Sequence, residues 1–435
     1  MRVKDHLDKI SWSFANRLIY LVWGLVNLVI IGQTDPYNYG LYFLFTQLIT
    51  YLASVSDSFS LQGLIQFGKK EEDRPKLNSI AMLLQSFFLF VIPLVLFLFR
   101  HQFAGLLGGD EFIEVSYFLP LISVFVIPRT FAYKVLARDL DYKKSFFIDL
   151  MNFGVMSLVI VYYIFTKDFL YFSDLIVSYL IGGVSSGIYS TIILMKKSSF
   201  GLNGKITFKK YLNFAVPWTV HAIFYSSIKY LDVYAISFAI NTTDSIKIVG
   251  LYSSAKTLFK VFEQLSDGVS ALVYPSAIKN IDYKDKVRSI MTKSTSFILV
   301  LNITVFVILQ LGFADFIIFN FLPVKFHEAT SYFKIMLFAS LFLPFASLNM
   351  ILTAINKLKS VVYISIIAAI TSLISIFVIA HFADYKYVSL GIVIYYIIIG
   401  LSSLYIVKWQ LGFPISDIFR AIPDTRNFIK EIFKK

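Results

Sequence analysis

The chain has 435 residues, of which 57% are hydrophobic and 15% charged, with a formal net charge of +13. A soluble domain is nearer half apolar and a quarter charged, so these values exclude an ordinary soluble protein and indicate a polytopic membrane protein. The absence of cysteine excludes disulfides and thiolate metal sites. The five histidines (His6, His101, His221, His327, His381) are scattered, with no HExxH pair and no carboxylate at ligand spacing.

The N-terminal MRVKDHLDKIS is polar and has no secretory cleavage pattern. Twelve stretches long enough to span a bilayer follow, at roughly 12–32, 38–65, 78–99, 115–137, 146–166, 173–195, 213–240, 249–274, 294–312, 331–354, 361–380 and 388–407. Lysine and arginine concentrate in alternate connections, from Arg2, Lys4 and Lys9 through Lys69–Lys76, Lys134–Lys144, Lys196–Lys210, Lys279–Lys293 and Lys357–Lys359 to the tail. The opposite loops hold only Arg100, Lys167, Lys247, Lys325 and Lys386. Both termini are therefore expected on the cytoplasmic side, and most of the positive charge is topological and calls for no nucleic acid.

The second span begins at Gly40 with GLYFLFTQLITYLASVSD, and the eighth begins at Gly250 with GLYSSAKTLFKVFEQLSD. The same register pairs Ser60 with Ser270, Lys69 with Lys279 and Ser79-Ile80 with Ser289-Ile290. This predicts an all-α protein of twelve transmembrane helices, in two six-helix parallel repeats that form two lobes around a central cavity. The lobes are expected at 1–205 and 206–410, joined through the basic KKSSFGLNGKITFKKYL at 196–212, with a basic amphipathic tail at 411–435. Pro128 and Pro344 hold nearly equivalent places in spans four and ten, as hinges or as static kinks. Gly183 and Gly187 form a GxxxG in span six, which reads as helix packing. From Phe413 the tail alternates apolar and basic residues and is expected to lie on anionic lipid or as a solvated segment.

Charges inside spans cost at least about 2.5 kcal/mol each near the bilayer centre, so they mark wet or protein-lined surfaces. Lys256, Lys260, Glu263 and Asp267 fall on one face of span eight. Lys256 and Lys260 lie about 9 and 15 Å from the outer end of that helix, and Lys229 and Asp232 lie about 16 and 12 Å from the outer end of span seven. Arg17, Asp57 and Arg129 sit nearer the cytoplasmic side. Lys256, Lys260, Lys229, Arg17 and Arg129 are candidates for binding an anionic substrate; Asp57, Asp267, Glu263 and Asp232 are candidates for ion coupling or gating. Alternatives stay open: Arg17 can snorkel, Lys229 with Asp232 or Lys260 with Glu263 can be structural pairs, and Lys334 can be an interfacial anchor. Asp57 and Asp267 have Lys69 and Lys279 as prospective partners at an inner gate. No phosphate loop, GxSxG or acidic pair beside a basic loop is present, so the expectation is a transporter, not an enzyme, with no cofactor.

The YGLY and VGLY openings (Tyr39–Tyr42, Val249–Tyr252), the pairs Ser56-Asp57 and Ser266-Asp267, and Tyr274-Pro275 before a basic loop give the chain a resemblance to a superfamily. It is the multidrug/oligosaccharidyl-lipid/polysaccharide exporters, and the chain resembles most its polysaccharide branch, the O-antigen or capsule-repeat flippases. The resemblance covers nearly the whole chain. It implies alternating-access translocation of an undecaprenyl-diphosphate-linked oligosaccharide across the bacterial cytoplasmic membrane, driven by an ion gradient of protons or sodium. A lipid-linked oligosaccharide would be the main partner, and a polysaccharide polymerase complex a further one. The similar lipid II flippases typically have fourteen spans, and the similar drug exporters have acidic lobes where these charges lean basic. A multidrug or cation antiporter is the alternative. A polymerase or ligase fits less well, because the longest external loops are poor in Arg and His.

Overall fold

The computed structural model describes residues 3–68, 70–107, 109–240, 244–279, 283–355 and 357–423, and among them every regular element is helical. Lipid cannot satisfy backbone N–H and C=O groups, so apolar stretches of this length close their hydrogen bonds within helices. We number the main helices α1 (Val3–Gln33), α2 (Pro36–Ser56, continuing to Phe67), α3 (Glu71–Leu98), α4 (Leu119–Arg138), α5 (Tyr142–Thr166) and α6 (Phe172–Lys197). The series continues with α7 (Phe208–Ser226, continuing to Ile240), α8 (Ser245–Lys279), α9 (Lys284–Phe321), α10 (Ala329–Ser340 with Leu343–Ala354), α11 (Leu358–Phe382) and α12 (Tyr385–Leu411).

Each of the twelve expected spans falls on one of these helices. Seven of them (α3, α4, α5, α6, α9, α11 and α12) are long and apolar enough to cross a membrane, and α10 makes an eighth if its two segments are one bent span. Helices α1, α2, α7 and α8 are helical over the expected ranges but are not among those seven. All of the charges singled out above except Arg129 and Lys334 lie on these four helices.

Helix starts follow local chemistry. Asp35 caps α2 by accepting the Asn38 N–H at 2.8 Å, with Pro36 at the first position, where its missing donor is harmless. Asp141 caps α5 through the Lys144 N–H at 3.3 Å, and Thr207 caps α7 through the Lys210 N–H at 3.2 Å. Gly412, in the left-handed region at φ 63°, ends α12.

Five helices are interrupted by a wider turn in which hydrogen bonds reach five residues back: Asp57–Leu61, Phe87–Val91, Leu150–Gly154, Ser227–Leu231 and Leu309–Phe313. Such turns release a carbonyl from the regular ladder and recur at functional sites. Three of them adjoin intramembrane charges. Asp57 opens the first, Asp149 precedes the third, and Lys229 and Asp232 flank the end of the fourth.

The chain divides into two compact units, Met1–Gly250 and Leu251–Lys435. The expected lobe boundary at 205 rests on the sequence repeat; the compact unit reaches further because α7 lies against α2. The Tyr211 hydroxyl donates to the Ser60 carbonyl within the Asp57–Leu61 turn, a Cβ on Gly63 would strike the Tyr211 ring, and Ser54 and Ser226 share a hydrogen bond of 2.9 Å. The connection at 198–206 is strapped along the start of α3. Asn78 donates to the Ser199 carbonyl at 2.9 Å, the Gly201 N–H donates to Ser79 at 2.9 Å and the Lys205 N–H donates to Asp73 at 2.6 Å.

Within the first unit, Gly183 and Gly187 pack α6 onto α4, as their spacing predicts; a Cβ would meet Ile122 at the first and the Phe125 backbone at the second. A second glycine contact is reciprocal. A Cβ on Gly40 would strike the Ile246 carbonyl, and one on Gly250 would strike the Pro36 carbonyl. The shift that aligns the two GLY stretches carries Gly40 to Gly250 and Pro36 to Ile246, so the two contacts are images of each other.

The second unit packs α11 on α12, where Ser372 donates to the Gly391 carbonyl at 2.6 Å, and seats Gly400 against Phe342. Here the expected equivalence of the two prolines breaks down. Helix α4 runs unbroken through Pro128, whereas α10 bends by 49° just before Pro344, which opens its second segment. The tail also differs from the expectation over its described part. Phe413, Ile418 and Ala421 are buried, and Arg288 of α9 donates to Asp417, so this stretch packs on protein; Ile415 and Phe419 face outward. Residues 424–435, the more basic part of the expected lipid-binding tail, lie outside the described residues.

Candidate functional site

Two clusters of charged groups in the first unit are built at wide turns of α2 and α5. In one, Asp149 is fully buried at the end of the first turns of α5 and accepts three hydrogen bonds. Arg129 of α4 donates to one oxygen at 3.0 Å, while Tyr20 of α1 and Tyr133 of α4 each donate to the other at 2.9 Å. Asn16 donates in turn to the Tyr133 hydroxyl. The Arg129 guanidinium lies over the Phe153 ring at 5.3 Å, and that ring contacts Tyr20 at 5.2 Å and Trp23 at 5.3 Å between centroids. A carboxylate with three donors and a guanidinium against a ring meets the conditions under which a buried pair survives desolvation.

The other cluster holds Asp57, which accepts from Lys134 of α4 at 2.8 Å and from Gln62 at 2.9 Å. Lys134 thus takes the place at Asp57 that Lys69 or Lys279 was expected to fill; Lys69 and the Lys279 side chain lie outside the described residues. The reason is geometric. Lys134 continues α4 as a helical residue instead of starting a loop, which aims its side chain at the Asp57 turn.

Lys229 and Asp232 stand at the Ser227–Leu231 turn of α7. The Lys229 ammonium lies 4.8 Å from the centre of the Tyr225 ring, and the fully buried Asp232 accepts the Val233 N–H at 3.0 Å. On α8, Lys256 is only 2% exposed, with its ammonium 5.8 Å from the Tyr252 ring centre. Lys260 and Glu263 are half-buried, and Glu263 accepts from the Tyr396 hydroxyl of α12. A tyrosine one turn before Lys229 and one before Lys256 offer their ring faces to the ammonium groups, which partly replaces lost hydration. Thr46 and Thr50, the α2 counterparts of Lys256 and Lys260, donate to the Phe43 and Thr46 carbonyls at 3.1 and 2.6 Å. Of the remaining candidates, the side chains of Arg17 and Asp267 lie outside the described residues. Lys334, read from sequence as an anchor, pairs with Asp315 at 2.6 Å.

Asp149, Tyr20, Tyr133 and Lys134 are the residues that sequence reasoning missed. A signal for Asp149 was available: α4 and α5 are antiparallel neighbours joined by a short turn, so Arg129 and Asp149 fall at about the same depth, near 14 and 10 Å from the ends that this turn joins. Among the described residues no group of His, Asp or Glu is arranged to hold a metal ion.

The architecture is shared with solved transporters. The chain superposes on the lipid II flippase MurJ in an inward closed conformation with a TM-score of 0.75 at 16% identity, covering 98% of this chain and 92% of that one. An inward-facing multidrug resistance MATE family transporter of the MOP superfamily gives 0.74 at 12% identity, covering 91% and 94%. A MOP superfamily transporter from Pyrococcus furiosus Vc1 (DSM3638), described as having a binding pocket of reverse polarity, gives 0.63 at 12% identity, covering 93% and 94%. At these identities the likeness is one of fold. A search of curated proteins by sequence gives no match. The family model described as polysaccharide biosynthesis protein matches residues 35–331, well over half of the chain, and the chain therefore belongs to the polysaccharide biosynthesis protein family.

Proposed function

We propose that the chain is a flippase that moves an undecaprenyl-diphosphate-linked oligosaccharide repeat unit across the bacterial cytoplasmic membrane by alternating access of two six-helix lobes, for surface polysaccharide synthesis. The observation that carries this reading is the buried basic face of α8. Lys256 is 2% exposed, and Lys260 stands one turn on. Charges inside a span mark a wet or protein-lined surface, and a diphosphate is an anion that ammonium groups recognise through charge-assisted hydrogen bonds. Lys229, with its ring-supported ammonium on α7, belongs to the same set, and Arg17 joins it as a cytoplasmic entry residue. The reading is further supported by family membership and by the likeness of fold to a lipid II flippase. An ion gradient supplies the driving force, with Asp57, Asp232, Glu263 and Asp267 as the carboxylates that couple or gate it.

The test is replacement of the two α8 lysines. Lys256→Ala and Lys260→Ala should abolish surface polysaccharide while protein level in the membrane stays normal. Unchanged export in both variants rejects the assignment.

A second reading, a multidrug or cation antiporter, is favoured by the equally good superposition on a MATE family transporter. On that reading Asp57, Glu263 and Asp267 would carry efflux. Drug export that depends on these carboxylates, in cells with normal surface glycan, would decide for it.

A further inference from the structure

We infer that Arg129, Asp149 and Tyr20, with the Phe153 and Trp23 rings, form a site for the neutral sugar hydroxyls of the transported molecule, while its diphosphate is read elsewhere. The inference rests on the transport reading above and changes the part taken by Arg129, which sequence alone assigns to the diphosphate.

Charge comes first. Asp149 is fully buried and takes hydrogen bonds from Arg129 at 3.0 Å and from Tyr20 and Tyr133 at 2.9 Å each. The cluster is therefore neutral as a whole. A guanidinium already compensated by a carboxylate has little net field to draw a diphosphate, whereas a neutral array of donors and acceptors suits hydroxyl groups, which both donate and accept.

Unused capacity comes second. The guanidinium has five N–H groups in a planar fork, and one of them meets Asp149 end-on. The Arg129 side chain keeps 20% of its surface exposed and Tyr20 keeps 37%, so the polar edge is reachable although its anchor is not. Asn16, which donates to Tyr133, has its carbonyl oxygen buried with no hydrogen-bond partner among the described residues. An acceptor left in that state destabilises the fold, and a sugar hydroxyl would satisfy it.

Shape comes third. Phe153 is ringed by Tyr20, Trp23 and the Arg129 guanidinium, all within 5.3 Å of its centre. Flat apolar faces beside a few fixed polar groups are the general pattern of small-molecule sites, and the C–H face of a pyranose packs on such rings while its rim of hydroxyls meets the polar edge. The cluster lies in the cytoplasmic half of α4 and α5, about 10–14 Å from their ends, where a glycan assembled in the cytoplasm would arrive.

The experiment uses the full chain in lipid nanodiscs. The probes are undecaprenyl diphosphate and the same carrier bearing N-acetylglucosamine or galactose, with affinity measured for each. Trp23→Leu and Phe153→Leu keep both charged partners, although Phe153→Leu also takes the ring from the Arg129 guanidinium, and the double variant Arg129→Gln/Asp149→Asn removes both charges together so that neither is stranded. The wild type should bind at least one glycosylated carrier more tightly than the bare one. All three variants should lose roughly tenfold on that carrier and stay within about twofold on the bare one. Equal losses on both carriers make Arg129 a phosphate ligand and overturn the inference. So does a wild-type preference kept intact in the variants, or a wild type with no preference for sugar. Failure of the wild type to bind any of the three carriers sinks the transport reading itself, and this inference with it.

Discussion

A buried arginine is a liability until its counter-charge is known. Asp149→Ala would leave the Arg129 guanidinium facing two tyrosine hydroxyls and a ring with no carboxylate. Breaking such a pair from one side costs on the order of 3 kcal/mol, whereas replacing both partners by apolar residues of similar volume is far milder. Thermal unfolding in detergent should therefore show Asp149→Ala well below the wild type and Arg129→Met/Asp149→Leu close to it. Equal loss in the two would mean that the pair's charge is immaterial. Thr46→Ala and Thr50→Ala make the contrasting case: both hydroxyls already bond to carbonyls of their own helix, so transport should scarcely change. Arg129, Lys256 and Asp57 could be singled out from the chain because a charge in an apolar run needs no partner to be conspicuous. Their partners were harder. Asp149 lies only three residues inside the expected fifth span, where a carboxylate passes for a helix-end residue, and the hydroxyls of Tyr20, Tyr133 and Tyr396 are indistinguishable in sequence from those of other interfacial tyrosines.

Helix positions were legible and helix interruptions were not. Apolar length fixes a span, but whether its ladder widens for one turn depends on what competes for the freed carbonyl, and that competitor is distant in sequence. Ser60 shows this, since its carbonyl is taken by Tyr211, 151 positions away. Tyr211→Phe should lower stability by about 1 kcal/mol, the net value of one hydrogen bond, measured as a shift in thermal midpoint. Gly63→Ala should cost more, about 1–3 kcal/mol, because its methyl group meets the Tyr211 ring, and Tyr211→Leu should partly restore it. The start of α5 offers a pH readout. Burial alone would raise the Asp141 carboxyl, but hydrogen bonds from the Lys197 and Lys144 ammonium groups and the Lys144 N–H hold it below the usual aspartate range. A lowered folded pKa means stability that is present above the ordinary aspartate pKa and lost as pH falls through the folded value. Asp141→Asn should thus melt lower than the wild type near pH 6, and the gap should close in acid below about pH 3. A gap that persists there would assign the effect to the cap alone.

For the molecule as a whole, orientation was argued from the asymmetry of Lys and Arg between alternate connections. The chain has no cysteine of its own, so single cysteines report their side of the membrane without background. Cysteine at Ser199 or Lys286 should react with a membrane-impermeant maleimide only after permeabilisation, and cysteine at Asp110 or Lys325 in intact cells. The opposite pattern at either pair would reverse the topology. Division of the chain into compact units was the least legible feature. Repeats mark where a gene was copied, whereas compactness follows which helices touch, and α7 touches α2.

The reciprocal seating of Gly40 on the Ile246 carbonyl and Gly250 on the Pro36 carbonyl leaves these two positions no room for a side chain. Elsewhere the matching stretches differ freely, with Lys256 and Lys260 in one where the other has Thr46 and Thr50. At the crossing there is no such liberty. A methyl group on either glycine would push on the main chain opposite, which no rotamer can relieve, and no second substitution restores the space because the obstacle is backbone. The two glycines therefore act as a single constraint, and neither can be exchanged alone or in company.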